Sequence, residues 1–291
     1  MEMYTLKNAE ITIQVASHGA ELKSLKDNAT GTEYMWCADE KYWKRTSPVL
    51  FPLVGNYKNG QTTYQGQTYQ MSQHGFARDM EFELVSQTED SIFFALQENE
   101  ETLKKYPFAF YLELGYRISG RSVEVIWKVK NPAQETMYFS IGGHPAFNCP
   151  LCEGEEQTAY SIAFDVEDKI VSSLVGANGI TDTKLEYPLQ DGVLGLSQEL
   201  FVNDALVIEN QQIHQVALVN PAGVKYLTVD FDAPLFGIWS PPGKNAPFVC
   251  IEPWYGRTDK ENYTGGLEDR EWGNTLEAGE EFKVSYTITV A

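Results

Sequence analysis

Apolar and polar residues alternate with a period of two along several stretches of the chain. Two such runs cover residues 110–118 and 123–129, and Ser119 and Gly120 separate them. Successive side chains of a β-strand point to opposite faces of a sheet, so the pattern predicts two strands that form a hairpin. A third run, over residues 282–290, alternates in the same way and predicts a C-terminal strand.

Helical periodicity is scarce by comparison. Residues 99–106 could form one or two helical turns before Pro107 ends them. Turn signals at Asn59-Gly60 and Gln65-Gly66 separate further short segments rich in Thr and Tyr. Many short strands without an alternating βαβ order predict an all-β protein, a large antiparallel β-sandwich with few short helices. No linker or internal repeat divides the chain, so we expect a single domain over residues 1–291.

Composition and charge narrow the possible partners and the cellular location. The chain has 291 residues, of which 43% are hydrophobic, with 22 basic and 41 acidic residues and a formal net charge of -19. An acidic surface repels phosphate backbones and anionic lipids, so we expect neither nucleic acid nor membrane as a partner. Residues 1–10 lack the apolar stretch of a signal peptide. We therefore expect a cytoplasmic protein.

Several familiar catalytic motifs are missing from the sequence. It contains no glycine-rich phosphate loop, no dinucleotide fingerprint, no His-Glu-x-x-His and no Gly-x-Ser-x-Gly. Cys149 and Cys152 follow His144, but the His-x-Glu element of a deaminase zinc site is absent there. We therefore expect no cofactor and no metal, and the remaining option is acid–base chemistry by histidines and carboxylates.

Two of the four histidines lie in segments suited to a site. His74 is followed by Gly75, and this small neighbour would allow a ligand to approach the imidazole closely. His144 lies between two glycines and Pro145, directly after a strand-like segment. Irregular backbone of this kind commonly carries functional residues. Either histidine could instead be a packed side chain that is hydrogen-bonded at a strand end.

A glutamate ends an apolar run near the C-terminus. Glu252 follows Val249, Cys250 and Ile251, where a carboxylate is costly to bury unless it is paired or used. Partial burial would raise its pKa towards the range of a useful general base. Trp254 lies two residues further on and could stack on a sugar ring. The alternative is a strand-end glutamate in a surface salt bridge.

Taken together, these segments resemble the aldose 1-epimerase (galactose mutarotase-like) superfamily, most closely its lactose-operon-associated bacterial branch. The resemblance rests on His-Gly-Phe-Ala-Arg at 74–78, Gly-His-Pro-Ala-Phe at 143–147 and Cys-Ile-Glu-Pro-Trp at 250–254. Other matching segments, in the same order and spacing, are 17–25, 33–36, 42–43, 48–55 and 239–241. The resemblance covers almost the whole chain, and it implies a large antiparallel β-sandwich with the sugar in an open cleft.

The resemblance also implies roles for individual residues. Glu252 matches the general base that acts on the anomeric hydroxyl, and His144 matches the general acid that acts on the ring oxygen. His74 matches a second histidine that binds or polarises the sugar. The implied activity is the cofactor-independent interconversion of the α and β anomers of a free aldose such as galactose or glucose, by acid–base opening and closure of the ring. Whether the protein is a monomer or a homodimer stays open.

One position departs from the family pattern and leaves the substrate open. Asn56 stands where the family usually has a sugar-binding arginine, and Arg78 remains as a candidate contact together with Trp239 and Trp254. A phosphate site favours clustered arginines, so a single arginine counts against a sugar-phosphate substrate. Three other functions remain open: a sugar-phosphate mutarotase, a non-catalytic sugar-binding or sensing protein, and a glycosidase with Asp79 or Asp230 as its second carboxylate.

Overall fold

The computed structural model describes residues 1–291 and contains 24 strands, one α-helix and five short 3-10 helices. The first twelve strands are β1 (Met3–Lys7), β2 (Ile11–Ala16), β3 (Leu22–Asp27), β4 (Val49–Leu50), β5 (Gln61–Tyr64), β6 (Gln67–Gln70), β7 (Glu83–Gln87), β8 (Ser91–Gln97), β9 (Tyr111–Ser119), β10 (Ser122–Lys130), β11 (Met137–Phe139) and β12 (Ile141–Gly143).

The second half of the chain continues the all-β pattern. Its strands are β13 (Ala146–Asn148), β14 (Ser161–Phe164), β15 (Lys169–Gly176), β16 (Gly179–Pro188), β17 (Val193–Gly195), β18 (Leu206–Glu209), β19 (Gln215–Val219), β20 (Lys225–Phe231), β21 (Leu235–Trp239), β22 (Phe248–Tyr255), β23 (Asn274–Leu276) and β24 (Glu281–Val290). The helical elements are α1 (Glu100–Leu103) and 3-10 turns at Lys58–Gly60, Ala77–Asp79, Gln157–Ala159, Gln198–Phe201 and Leu267–Asp269.

Two large antiparallel sheets dominate the architecture. One has nine strands in the order β17-β14-β19-β20-β24-β10-β9-β8-β7. The other has the order β16-β15-β18-β21-β22-β12-β4, with β13 as an eighth strand that pairs with β22. A three-stranded sheet of β1, β2 and β3 and two two-stranded ribbons complete the fold. The predicted fold class, an all-β antiparallel sandwich with few short helices, is confirmed.

The alternating segments form the strands that the sequence predicted. β9 and β10 form the expected hairpin, with Ser119 opposite Ser122, and β24 pairs along the whole of β10. The predicted helical stretch is limited to α1, which Asn99 caps by accepting hydrogen bonds from the backbone N–H groups of Glu101 and Thr102. No helix in the fold has both the length and the apolar character that crossing a bilayer requires.

The hydrophobic core lies between the two large sheets. One cluster of 61 buried residues runs from Leu6 near the N-terminus to Val290 near the C-terminus. Aromatic rings bridge the sheets, as where Trp127 of β10 meets Tyr255 of β22 at 6.4 Å between centroids. Val249 and Ile251 of β22 belong to this core. Because side chains alternate along a strand, Cys250, Glu252 and Trp254 face the other side of the eight-stranded sheet.

Candidate active site

A cavity of about 320 Å³ lies against the outer face of the eight-stranded sheet. This volume is within the usual range for small-molecule sites. Its lining includes imidazoles, carboxylates, guanidinium groups and indoles. The titratable and aromatic lining residues are Trp43, Lys44, Arg45, His74, Arg78, His144, Asp204, Trp239, Glu252, Trp254 and Arg257.

Glu252 lies at the floor of the cavity, on the central strand β22. Its side chain is only 1% exposed, and its Oε2 atom has no hydrogen-bond partner. That oxygen is 3.3 Å from Nε2 of His144. Burial, reinforced by the nearby charge of Asp204, raises the pKa of the Glu252 carboxyl well above its ordinary value. The buried position of Glu252 therefore favours the protonated carboxyl.

His144 lies in the short connection between β12 and β13. Its ring stacks on Trp43, with 4.7 Å between centroids, and meets Trp239 edge-on at 5.4 Å. The Nδ1 atom is buried and has no partner. Burial first, and then the positive charge of Arg78, lowers the pKa of His144 to about 3. The imidazole of His144 is therefore neutral near pH 7.

His74 is held in a fixed orientation beside His144. Its Nδ1 atom accepts a hydrogen bond from the Gly55 backbone N–H at 3.1 Å, so the ring hydrogen lies on Nε2. The two imidazoles meet edge-on at 5.6 Å. Burial, His144 and Arg78 all lower the pKa of His74 well below its ordinary value. His74 is thus a neutral ring that can donate a hydrogen bond into the cavity.

The backbone conformation around His74 gives Gly75 a role other than the ligand access that we expected. His74 and Gly75 both have positive φ, 65° and 73°. A Cβ atom at Gly75 would lie 2.2 Å from the Phe51 carbonyl oxygen. The glycine therefore makes room for the backbone of Phe51 rather than for a ligand.

Trp254 occupies a slot that two glycines on neighbouring strands create. Gly142 of β12 lies opposite Trp254, and a Cβ there would come within 2.7 Å of the indole. Gly237 of β21 lies opposite Glu252, and its Cβ would come within 2.4 Å of the same indole. The Trp254 Nε1 atom is buried without a partner. The slot holds a flat apolar ring beside the carboxyl of Glu252.

The structure places six of the seven expected site residues around the cavity. These six are His74, Arg78, His144, Trp239, Glu252 and Trp254. Asn56 lies outside the lining. It is exposed, and its backbone N–H donates to Thr258 Oγ1 while its carbonyl accepts from Asp259. Asp79 and Asp230, the candidate second carboxylates of a glycosidase, are also absent from the lining.

Sequence reasoning missed five titratable or aromatic residues that line the cavity, which are Trp43, Lys44, Arg45, Asp204 and Arg257. Trp43 covers one face of His144. Arg45 and Asp204 lie on connections with no recognisable pattern. Arg257 is 4% exposed, with Nε bonded to Glu209 Oε1 at 2.6 Å and Nη2 bonded to Glu271. The one sequence signal for Arg257 was its position just after β22, the strand that carries Glu252.

One group of side chains in the site has the spacing of a metal site. Ligand atoms of His144, Cys250 and Glu252 lie within 4.8 Å of one another. Burial raises the pKa of the Cys250 thiol well above its ordinary value, and Cys250 packs with Trp36 and Phe248. A thiol that stays protonated is a poor metal ligand, so the donor set fits an ion poorly.

Comparison with known proteins shows the family to which the chain belongs. A model of the aldose 1-epimerase family matches residues 2–289. The chain belongs to the aldose 1-epimerase family. It is 35% identical over 295 residues to the protein LacX of Lactococcus lactis subsp. lactis, covering 98% of both chains.

Solved structures of similar proteins agree with the family assignment. A galactose mutarotase related enzyme from Lactobacillus acidophilus has 38% sequence identity and a TM-score of 0.94, covering 100% of this chain and 97% of its own. A galactose mutarotase-like protein from Lactobacillus casei has 29% identity and a TM-score of 0.90, with 100% of both chains covered. In this family member, one cavity is lined by the buried carboxyl of Glu252, the neutral imidazoles of His144 and His74, and the indole of Trp254.

Proposed function

We propose that the protein interconverts the α and β anomers of an aldose by opening and closing the pyranose ring. The observation that carries this proposal is the contact between Glu252 Oε2 and His144 Nε2, 3.3 Å apart and both facing the cavity. Opening the ring requires removal of the C1 hydroxyl proton and delivery of a proton to O5. A carboxylate and an imidazolium side by side can do both.

The pair holds the one proton that this reaction needs. Burial favours the proton on Glu252 and leaves His144 neutral before a sugar binds. When polar sugar groups replace water, the proton can pass over the short gap to His144. This transfer produces a carboxylate base and an imidazolium acid without any exchange with solvent.

The catalytic steps then conserve both atoms and charge. Glu252 takes the C1 hydroxyl proton while His144 protonates O5, the C1–O5 bond breaks, and C1 becomes an aldehyde. After rotation about C1–C2, the O5 hydroxyl attacks the opposite face of C1, while His144 takes the proton of O5 back and Glu252 returns its proton to the carbonyl oxygen. His74 Nε2–H donates to a sugar oxygen, and Trp239 and Trp254 provide apolar surface for the ring. Each proton-transfer group typically contributes about 10²- to 10⁴-fold to the rate.

Exchange NMR between the anomeric protons of galactose and glucose tests the proposal. We expect wild type to accelerate exchange, and both Glu252→Gln and His144→Asn to lose about 10²-fold or more of that acceleration. Matched controls are Glu89→Gln and His214→Asn, since both residues are exposed and outside the cavity lining. Full activity in Glu252→Gln would contradict the proposed base. Sugar binding without accelerated exchange would instead favour a sugar-binding protein.

A further inference from the structure

Arg257 presents a buried guanidinium group to the cavity, and the proposed proton transfers leave it without a role. The residue lies two positions after the end of β22, is 4% exposed and belongs to the cavity lining. Burying a charge is costly unless the charge is paired and hydrogen-bonded. The partners of Arg257 therefore decide what its side chain can do.

Two carboxylates and a carbonyl group hold the guanidinium of Arg257 in one orientation. Its Nε donates to Glu209 Oε1 at 2.6 Å, and its Nη2 donates to Glu271 Oε2. Its Nη1 donates to the Thr258 carbonyl oxygen at 2.9 Å. A guanidinium has five N–H groups, so one N–H on each Nη atom remains without a protein acceptor. These two N–H groups are available to a molecule in the cavity.

Glu209, the buried partner of Arg257, is fixed by further donors. Its Oε1 also accepts from Trp272 Nε1 at 3.1 Å, and its Oε2 accepts from Ser173 Oγ and from Lys184 Nζ. Although burial raises it, hydrogen bonds from Lys184, Ser173 and Arg257 lower the pKa of Glu209 to about 2. Glu209 is therefore an ionised carboxylate whose orientation is set on both oxygens.

A second buried arginine nearby has a different set of contacts. Arg270 is 7% exposed, and its three nitrogens donate to Asp259 Oδ1, Ser140 Oγ and the Arg257 carbonyl oxygen. Its guanidinium lies over the Tyr57 ring, 4.9 Å from the centroid, and it is not part of the cavity lining. Arg270 therefore supports the backbone that carries Arg257, and only Arg257 of the two faces the cavity.

His144 lies towards one end of β22 as seen from Glu252. The His144 ring meets Trp239 edge-on, with 5.4 Å between centroids. Trp239 of β21 is paired with Cys250 of β22, which is two residues before Glu252. The proposed general acid is therefore on the Cys250 side of the proposed base.

The contacts of Arg257 lie towards the other end of β22. Glu209 of β18 is paired with Leu235 of β21, and Leu235 is paired with Trp254, two residues after Glu252. Four residues of a strand span about 13 Å, so the two ends of this stretch are well separated. Arg257 and the proposed general acid thus face the cavity from opposite sides of Glu252.

We infer that Arg257 donates a hydrogen bond to the sugar hydroxyl at C2 or C3, and that Glu209 positions the guanidinium for it. The inference rests on the proposed anomerase function and adds a specificity determinant to that site. In a pyranose, C1 is bonded to O5 on one side and to C2 on the other. With O5 at His144 and the C1 hydroxyl at Glu252, C2 and C3 extend towards Arg257. C6 is joined through C5 to the opposite, O5 side.

The paired charge of Arg257 suits a neutral hydroxyl. Glu209 and Glu271 balance the guanidinium, so this part of the lining has no excess of positive charge. A charged donor still makes a stronger hydrogen bond than a neutral one. Because its orientation is already fixed, the side chain loses little freedom when a sugar binds. A contact at C2 or C3 would also hold that part of the chain while C1 rotates.

The test compares galactose with 2-deoxygalactose, 3-deoxygalactose and 6-deoxygalactose in the full-length protein, with each kcat/KM for anomer exchange divided by the rate in buffer. We expect Arg257→Gln to lower the value for galactose about 10-fold or more, since a charged hydrogen bond is lost. For the 2-deoxy or the 3-deoxy sugar the same substitution should have an effect within about two-fold, because the partner hydroxyl is already missing. For 6-deoxygalactose the loss should equal that for galactose.

Wild type and two further variants keep the test independent of folding. In wild type, the sugar without the partner hydroxyl should itself fall about 10-fold below galactose, a comparison that no folding defect can disturb. Glu209→Gln should reduce turnover with the same dependence on the deoxy position, which a merely structural role would not produce. Lys184→Gln is the matched control, since Lys184 bonds the other oxygen of Glu209 but lies outside the lining. Its effect should be equal for all four sugars.

The outcomes separate this inference from the function on which it rests. If Arg257→Gln leaves galactose turnover unchanged, or lowers it equally for all four sugars, the inference is wrong while the anomerase function stands. A dependence on the 6-deoxy position alone would also overturn it, because C6 lies on the O5 side. If wild type accelerates none of the four sugars, the proposed function itself fails.

Discussion

Unpartnered polar atoms are concentrated at the cavity. Six buried side-chain nitrogen or oxygen atoms in the protein lack a hydrogen-bond partner, and four of them belong to cavity residues: Arg78, His144, Glu252 and Trp254. Buried polar groups are nearly always satisfied in folded proteins, because an orphaned group costs about 1–3 kcal/mol. Their grouping around one volume places polar atoms that no protein group satisfies where a bound ligand could reach them.

The cost of burying Glu252 predicts a variant that is more stable than wild type. Between the ordinary carboxyl pKa and its raised pKa in the folded state, Glu252 stays protonated when folded but ionises when unfolded. Stability is therefore lost as the pH rises through this window, and glutamine, which does not titrate, avoids the loss. We expect Glu252→Gln to be more stable than wild type at pH 7, with a higher Tm.

Calorimetry at two pH values checks this expectation. The gain should shrink towards zero near pH 4, where the carboxyl is protonated in both states. Glu89→Gln, an exposed and unbonded position, serves as the control and should be neutral at both pH values. A Glu252→Gln protein that is less stable than wild type at pH 7 would show that the carboxyl is ionised and favourably paired.

The shared proton of Glu252 and His144 predicts an unusual pH profile. An isolated imidazolium acid would lose activity as the pH rises through about 6.5. Here the pair retains one proton above the lowered pKa of His144, about 3, and loses it only above the raised pKa of Glu252. We expect kcat/KM to show no decline centred near pH 6.5 when exchange rates are measured across the range. Such a decline would mean that His144 titrates independently.

At the level of single residues, the sequence pointed to the candidate acid–base residues of the cavity more readily than to the residues around them. His74, His144 and Glu252 lie in distinctive local segments, and all three line the cavity. Arg45 and Asp204 could not be found in this way, because only the folding of distant connections brings them to the cavity. Asn56 is the opposite case. It follows the segment 48–55, which resembles the family, but it lies outside the cavity lining.

At the level of elements, β22 is the strand that organises the site. All of its residues from Phe248 to Trp254 are buried, because one face meets the core and the other meets the cavity and the aromatic cluster around Trp36. A strand covered on both faces shows a continuous apolar run instead of alternation. The strands β9, β10 and β24 alternate and were predicted closely, whereas β22 was recognisable only as an apolar run with a glutamate.

The slot for Trp254 predicts the effect of a single methyl group. In Gly237→Ala the new Cβ would overlap the Trp254 indole and push it towards the cavity. Overpacking of this kind typically costs about 1–3 kcal/mol of stability. We also expect kcat/KM for anomer exchange to fall about 10-fold or more, because displaced groups lose their alignment with the sugar.

The matched control for this substitution is Gly195→Ala. Gly195 is also in a strand, has no positive φ, and has open space where a Cβ would lie. Kinetics and urea unfolding should both be close to wild type for the control. Unchanged activity in Gly237→Ala would show that the position of Trp254 does not matter for turnover.

At the level of the whole molecule, periodicity and turn residues were sufficient to predict the all-β antiparallel class. They could not predict which strands pair across the two large sheets, since non-local pairing depends on packing rather than on local pattern. The order β20-β24-β10 joins strands far apart in sequence. The acidic composition also gave no sign of the basic side chains in the cavity lining, Lys44, Arg45, Arg78 and Arg257, because a net charge over 291 residues says nothing about single side chains in one cavity.

The most direct test of the account is anomer exchange of galactose or galactose 6-phosphate labelled with ¹⁸O at C1, followed by ¹³C NMR. The label shifts the C1 resonance, so one spectrum series reports both the exchange rate and the fate of the anomeric oxygen. The account predicts faster exchange than in buffer, with the label retained at its enzyme-free level, because the bond that breaks is C1–O5. Unaccelerated exchange of both sugars, or acceleration accompanied by loss of the label to water, would contradict it.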